Sequence, residues 1–191
     1  MPRPLIAAFC LGGLLVLVLP MKVHVIPAQA TGETGLVVGK GTEGLPAPVA
    51  AMHAAILDAA RSGAIEEMRE VIELSEIKPE FGPSVDTDPI ADWKKISADG
   101  EGREILSALV AILNMNWAQR PVTDGGKGRA MYVWPYLAEL PLQGLLADQQ
   151  ADLLRLMPQS EADAARKTGR YTHWTLGIAQ DGTWHYFVRA Q

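Results

Sequence analysis

His173 and His185 flank the turn Gln180-Asp181-Gly182, and imidazoles on paired strands are able to converge on a metal ion. The strand register argues against that use. A three-residue loop with Gly182 in the left-handed conformation sets Gly177 opposite His185. His173 is then four positions further along the same strand, roughly 13 Å away at about 3.3 Å per residue. The chain has no His-x-x-His or His-Glu-x-x-His spacing, and its one cysteine is Cys10. No metal and no cofactor is expected, and both histidines are assigned to a polar face. His53 sits in the first helix among alanines, which points to a partly buried, hydrogen-bonded imidazole rather than a catalytic base.

Two glycine-rich segments invite an anion-binding reading. Gly35-Leu36-Val37-Val38-Gly39-Lys40-Gly41-Thr42 approaches a phosphate loop, but its spacing is one residue short and Gly41 intrudes before the threonine. In Asp124-Gly125-Gly126-Lys127-Gly128-Arg129, backbone amides and two cations could surround an anion, which makes Lys127 and Arg129 candidate binding residues. A third candidate cluster is the aromatic and proline-rich corner Met131 to Glu139. Tyrosine and tryptophan there combine apolar contact with a polar tip, so Trp134, Tyr136 and Glu139 are its candidate site residues, set against a role in the core.

Covalent chemistry finds less support. There is no Gly-x-Ser-x-Gly elbow, and no cysteine follows residue 10. Acids such as Glu139, Asp163 and Asp181 show no pairing in the sequence. Two carboxylates brought together by the fold, as in glycosidases, are the remaining route to an enzyme.

The elements that position these residues follow a targeting segment. Arg3 precedes an uncharged apolar run from Leu5 to Leu19, too short to span a bilayer but of the length of a signal-peptide core. Pro20 breaks the run, and Ala28-Gln29-Ala30 offers small residues at alternate positions. A signal peptide over residues 1–30, cleaved after Ala30, is expected, with a retained anchor as the alternative. The expected location is the periplasm. Removing Arg3 and Lys22 leaves 15 basic against 22 acidic side chains, an excess of acid that argues against nucleic-acid and anionic-lipid partners.

Residues 31–45 hold five glycines and no sustained period, and read as a flexible leader to one domain over 46–191. Helical spacing then predicts a hairpin of helices broken at Ser62-Gly63. A crossing loop over 76–87 and a helix capped by Asp88-Pro89, with Ile90, Trp93 and Ile96 turned inward, come next. An apolar helix from Ile105 to Leu113 forms the spine. Two short runs around 123–128 suggest a hairpin, and further helices are expected from Asp148 and Pro158. The last strands, Trp174 to Ile178 and Trp184 to Val188, alternate apolar and polar residues. A three-residue loop pairs Ile178 with Trp184, Leu176 with Tyr186 and Trp174 with Val188, placing six large side chains on one face. The fold class expected is α+β: a helical N-terminal half and a small antiparallel sheet closed by a C-terminal β-hairpin.

The stretches Val133 to Leu142 and Leu176 to Val188, the latter containing Asp181-Gly-Thr-Trp-His-Tyr-Phe-Val188, are similar to segments of uncharacterised exported bacterial proteins. The resemblance implies export and a discrete domain, and brings no activity or catalytic residue with it. The function expected is a soluble periplasmic accessory protein of the cell envelope, whose partner is an envelope protein or a small periplasmic ligand. A metal-independent envelope hydrolase with paired carboxylates is the alternative. Pairing of copies through an exposed edge at Thr183 to Val188 is a further expectation.

Overall fold

A computed structural model describes residues 30–31, 36–82, 88–122 and 130–190. The expected signal segment therefore lies outside the described residues up to its last position, Ala30. The expected cleavage bond joins the two residues of strand β1 (Ala30–Thr31).

Residues Val37–Gly39 form strand β2, which corrects the reading of 31–45 as a leader without regular structure. The physical reason is a short apolar run, Leu36-Val37-Val38, whose β-branched members suit a pleated surface packed against the core. The folded unit therefore begins before residue 46.

Helix α1 (Ala47–Arg61) starts with proline in its first turn and buries Val49, Met52, His53, Ile56, Leu57 and Ala60. A 3-10 turn at Ile65–Glu67 runs into α2 (Met68–Glu73), burying Ile65, Met68 and Val71 while Glu66, Glu67, Glu70 and Glu73 face out. Helix α3 (Pro89–Ile96) opens as expected: the Asp88 carboxylate accepts the Ile90 N–H at 3.1 Å. Ile90 and Trp93 turn inward, but Ile96, at the last helical position, is 61% exposed. Helix α4 (Arg103–Leu113) is the spine, with Ile105, Leu106, Leu109, Ile112 and Leu113 buried.

Strands β3 (Trp117–Pro121) and β4 (Ala130–Trp134) make the expected hairpin across residues 123–129, which lie outside the description. After β4 come a 3-10 turn (Tyr136–Glu139), α5 (Ala147–Leu156) and α6 (Gln159–Thr168). Strands β5 (Trp174–Ala179) and β6 (Trp184–Arg189) close the chain. The sheet is antiparallel throughout, in sequence order from β1 to β6. The protein is thus α+β, helical in its N-terminal half and ending in a β-hairpin.

The terminal turn is the three-residue loop that Asp181-Gly182 dictates. Ala179 N–H donates to the Thr183 carbonyl at 2.9 Å, and Gly182 takes φ 93°, a region that disfavours side chains. Ile178 faces Trp184 as the loop requires. One residue later the register slips: His185 is extra, so Gly177 faces Tyr186, Leu176 faces Phe187 and Thr175 faces Val188. The six-residue apolar face is corrected accordingly. The bulge puts Phe187 in the core, edge-on to Trp93 with ring centroids 5.8 Å apart, and sends the Tyr186 phenol to the opposite face. A phenyl ring needs no polar partner in the core, whereas a phenol does.

The expected open edge at Thr183 to Val188 is also corrected, because its ladder groups are taken. Glu80 N–H donates to the His185 carbonyl, and the Phe187 N–H donates to the Glu80 carbonyl, both at 2.8 Å. The Ser75 hydroxyl donates to the Trp184 carbonyl and accepts its N–H, both at 3.1 Å. The crossing loop thereby acts as a cover for the edge strand.

Candidate ligand-binding groove

One flank of α4, at the margin of the core, carries Glu104, Ser107, Ala108 and Ala111, spaced so that all lie along one stripe. Small side chains there leave room. The flank is walled by Ile96 at the end of α3, Arg155 and Leu156 at the end of α5, His173 and Trp174 entering β5, and Arg189 ending β6. Together they enclose a groove of about 570 Å³, within the range of pockets that hold small molecules. Ile96 is exposed because it forms this wall, at the point where its helix stops.

Pairing of Trp174 with Arg189 builds one end of the groove. The Trp174 indole stacks on Phe187, with centroids 4.5 Å apart and planes 17° from parallel. The Arg189 guanidinium lies 5.6 Å from the centroid of the same indole, a cation–π contact. The Ala190 N–H donates to the His173 carbonyl at 2.9 Å, fixing the strand entry. Burial holds the His173 imidazole below its ordinary pKa, and the Arg189 charge adds to the effect while Glu161 opposes it.

A second cation is positioned from behind. Arg155 pairs with one oxygen of Asp152 at 2.9 Å, and the other oxygen accepts the Tyr136 hydroxyl at 3.0 Å. Tyr136, buried at the strand-to-helix corner, is therefore a positioning residue for the carboxylate that orients Arg155. Burial first, then the Asp152 charge, pushes its phenol well above the usual range.

The other candidates from the corner do not join it. Trp134 is fully buried in the main core, its ring 5.3 Å from that of His53, and its indole N–H has no hydrogen-bond partner among the described residues. Glu139 belongs to the outer face of the sheet, where its carboxylate lies 3.7 Å from the Arg120 guanidinium. Burial raises the Glu139 carboxyl above the ordinary range, against the pull of Arg120. Tyr186 on the same face is pushed up to about 12, chiefly by burial, with Arg120 opposing and Glu139 adding. Lys127 and Arg129 lie outside the described residues.

His53 is buried with Nε2 2.9 Å from the Leu113 carbonyl. The expected facing of Gly177 with His185 is corrected, because the bulge sets Tyr186 there, and His173 is half-buried in the groove wall rather than on an open polar face. Among the described residues no cluster of three or more His, Cys, Asp or Glu side chains is placed to hold a metal. The groove lining contains one carboxylate, Glu104, and so no pair of the kind that glycoside hydrolysis uses.

Sequence reasoning missed Glu104, Arg155, Trp174 and Arg189 as a group. The sequence register pairs Trp174 with Val188, and only the bulge at His185 brings Arg189 opposite Trp174, so no local signal could have found the pair. Comparison with protein-family models, curated proteins and solved structures gives no match. No described helix is long and apolar enough to cross a membrane.

Proposed function

We propose that this chain is an exported ligand-binding protein of the bacterial cell envelope, with the α4 groove as its binding site. The observation that carries the reading is the groove itself, where an indole, two guanidiniums, an imidazole, a carboxylate and a hydroxyl converge over a floor of alanines. Apolar walls with a few placed polar groups are the usual make-up of a small-molecule site. The export half of the reading rests on the sequence of residues 1–30, and periplasmic location is part of the proposal.

Two measurements test it. Ligand-detected NMR against a mixed library of small periplasmic-type metabolites should give hits that Ala111→Trp abolishes, because an indole placed on the floor fills the groove. Hits unaffected by Ala111→Trp, in a variant with an unchanged melting temperature, would move the site elsewhere. Intact mass of the protein in a periplasmic extract should correspond to a chain starting at Thr31, whereas full-length protein confined to membranes would overturn soluble export.

A further inference from the structure

We infer that the groove selects a small organic mono-anion, a carboxylate carried on an aromatic or aliphatic body. The inference rests on the groove being the binding site and adds the chemistry of what it takes.

The charge pattern is the first argument. Beyond the expected signal segment the chain holds 15 basic against 22 acidic side chains, yet the groove reverses that balance, with Arg155 and Arg189 against Glu104. Cations gathered in a concave site on an acidic protein raise the local concentration of anions. Asp152 already balances Arg155, so Arg189 is the cation left for a ligand, which matches one carboxylate better than a dianion.

The state of the two guanidiniums is the second. Arg155 is paired with Asp152 through one of its nitrogens, and its side chain is 72% exposed at the groove lining. Arg189 makes no ion pair among the described residues and is held by the face of Trp174 instead. A guanidinium without a carboxylate partner keeps its N–H donors available to a ligand. Those donors form the fork that matches a carboxylate with two parallel hydrogen bonds.

The third argument is the apolar surface beside the cations. Ile96 presents a mostly exposed aliphatic side chain, and Ala108, Ala111, Leu156 and Trp174 continue the surface. Burying such a patch under the body of a ligand is favourable at about 25 cal/mol per Å² of apolar area. An inorganic anion would leave it bare. An uncharged ligand would leave Arg189 without a counter-charge.

The test uses a matched pair of probes, 1-naphthylacetate and the uncharged 1-naphthylacetamide, titrated calorimetrically into the purified protein. The carboxylate should bind at least ten-fold more tightly than the amide. Arg189→Met, which keeps a stem of similar length on Trp174, should bring the two probes to similar affinities, while Arg189→Lys should keep part of the preference. Equal binding of the two probes to the parent protein would overturn anion selection and leave the groove reading standing. If neither probe binds at millimolar concentration, both fall. A preference that survives unchanged in Arg189→Met would also overturn the inference, because selection would then come from elsewhere.

Discussion

Tyr186 lies across Gly177 from the neighbouring strand, its ring filling the space that a Cβ at position 177 would occupy. The relationship exists only because of the bulge at His185, which turns Tyr186 to the outer face and Phe187 to the core. Gly177→Ala should therefore push the phenol off the sheet and cost about 1 to 3 kcal/mol in urea unfolding, the usual range for overpacking. The glycine and the tyrosine should be coupled. In the double variant with Tyr186→Ala, much of the Gly177→Ala cost should vanish, and strict additivity would show that the strain lies elsewhere.

That pair also shows where reading the sequence stops. The Gln180-Asp181-Gly182 turn and the facing of Ile178 with Trp184 are local and follow from turn chemistry, so they were legible. The slip one residue later is decided by which ring the core accepts beside Trp93 and Trp174, and no local pattern carries that. Helical spacing likewise revealed α1, α3 and α4, and Asp88-Pro89 marked a helix start. The placement of Ile96 was not legible, because periodicity alone sends it inward and only the neighbouring elements show that a groove opens there. Strand β2 was obscured by the glycines around it. The three corner candidates part company for reasons that only the fold supplies: the Tyr136 hydroxyl meets Asp152, which pairs with Arg155, while Trp134 fills the core and Glu139 lies on the opposite face. The groove draws its lining from five separate elements, and a set of contacts that is wholly long-range leaves no motif in the sequence.

Glu139 gives the fold a pH dependence of definite sign. Its carboxyl is raised above the ordinary 4.5, chiefly by burial, so the folded state favours the protonated form. The stability this contributes is fully present below pH 4.5 and is lost as the pH rises through the raised folded value. Glu139→Gln, which cannot ionise, should therefore melt higher than the parent near neutral pH, with the difference closing as the pH falls below 4.5. Arg120→Met should do the reverse at neutral pH by leaving the carboxylate without its cation, and should be close to neutral in acid. Parallel melting curves for all three proteins across that range would show that Glu139 remains equally solvated in the folded and unfolded states.

His53 joins α1 to the end of α4. The last carbonyls of a helix lack partners within it, and the Leu113 carbonyl is such a group; the imidazole Nε2–H donates to it at 2.9 Å from a buried position. The same ring lies 5.3 Å from that of Trp134, so it serves both as donor and as packing. His53→Ala removes both and should cost about 2 to 4 kcal/mol, from a cavity and a buried acceptor left unpaired. His53→Phe separates the two contributions, since it keeps an aromatic ring against Trp134 and removes only the donor. It should still lose about 1 to 3 kcal/mol. If His53→Phe matched the parent in denaturant unfolding, the Leu113 carbonyl would have found another partner, and the imidazole would be there for its shape alone.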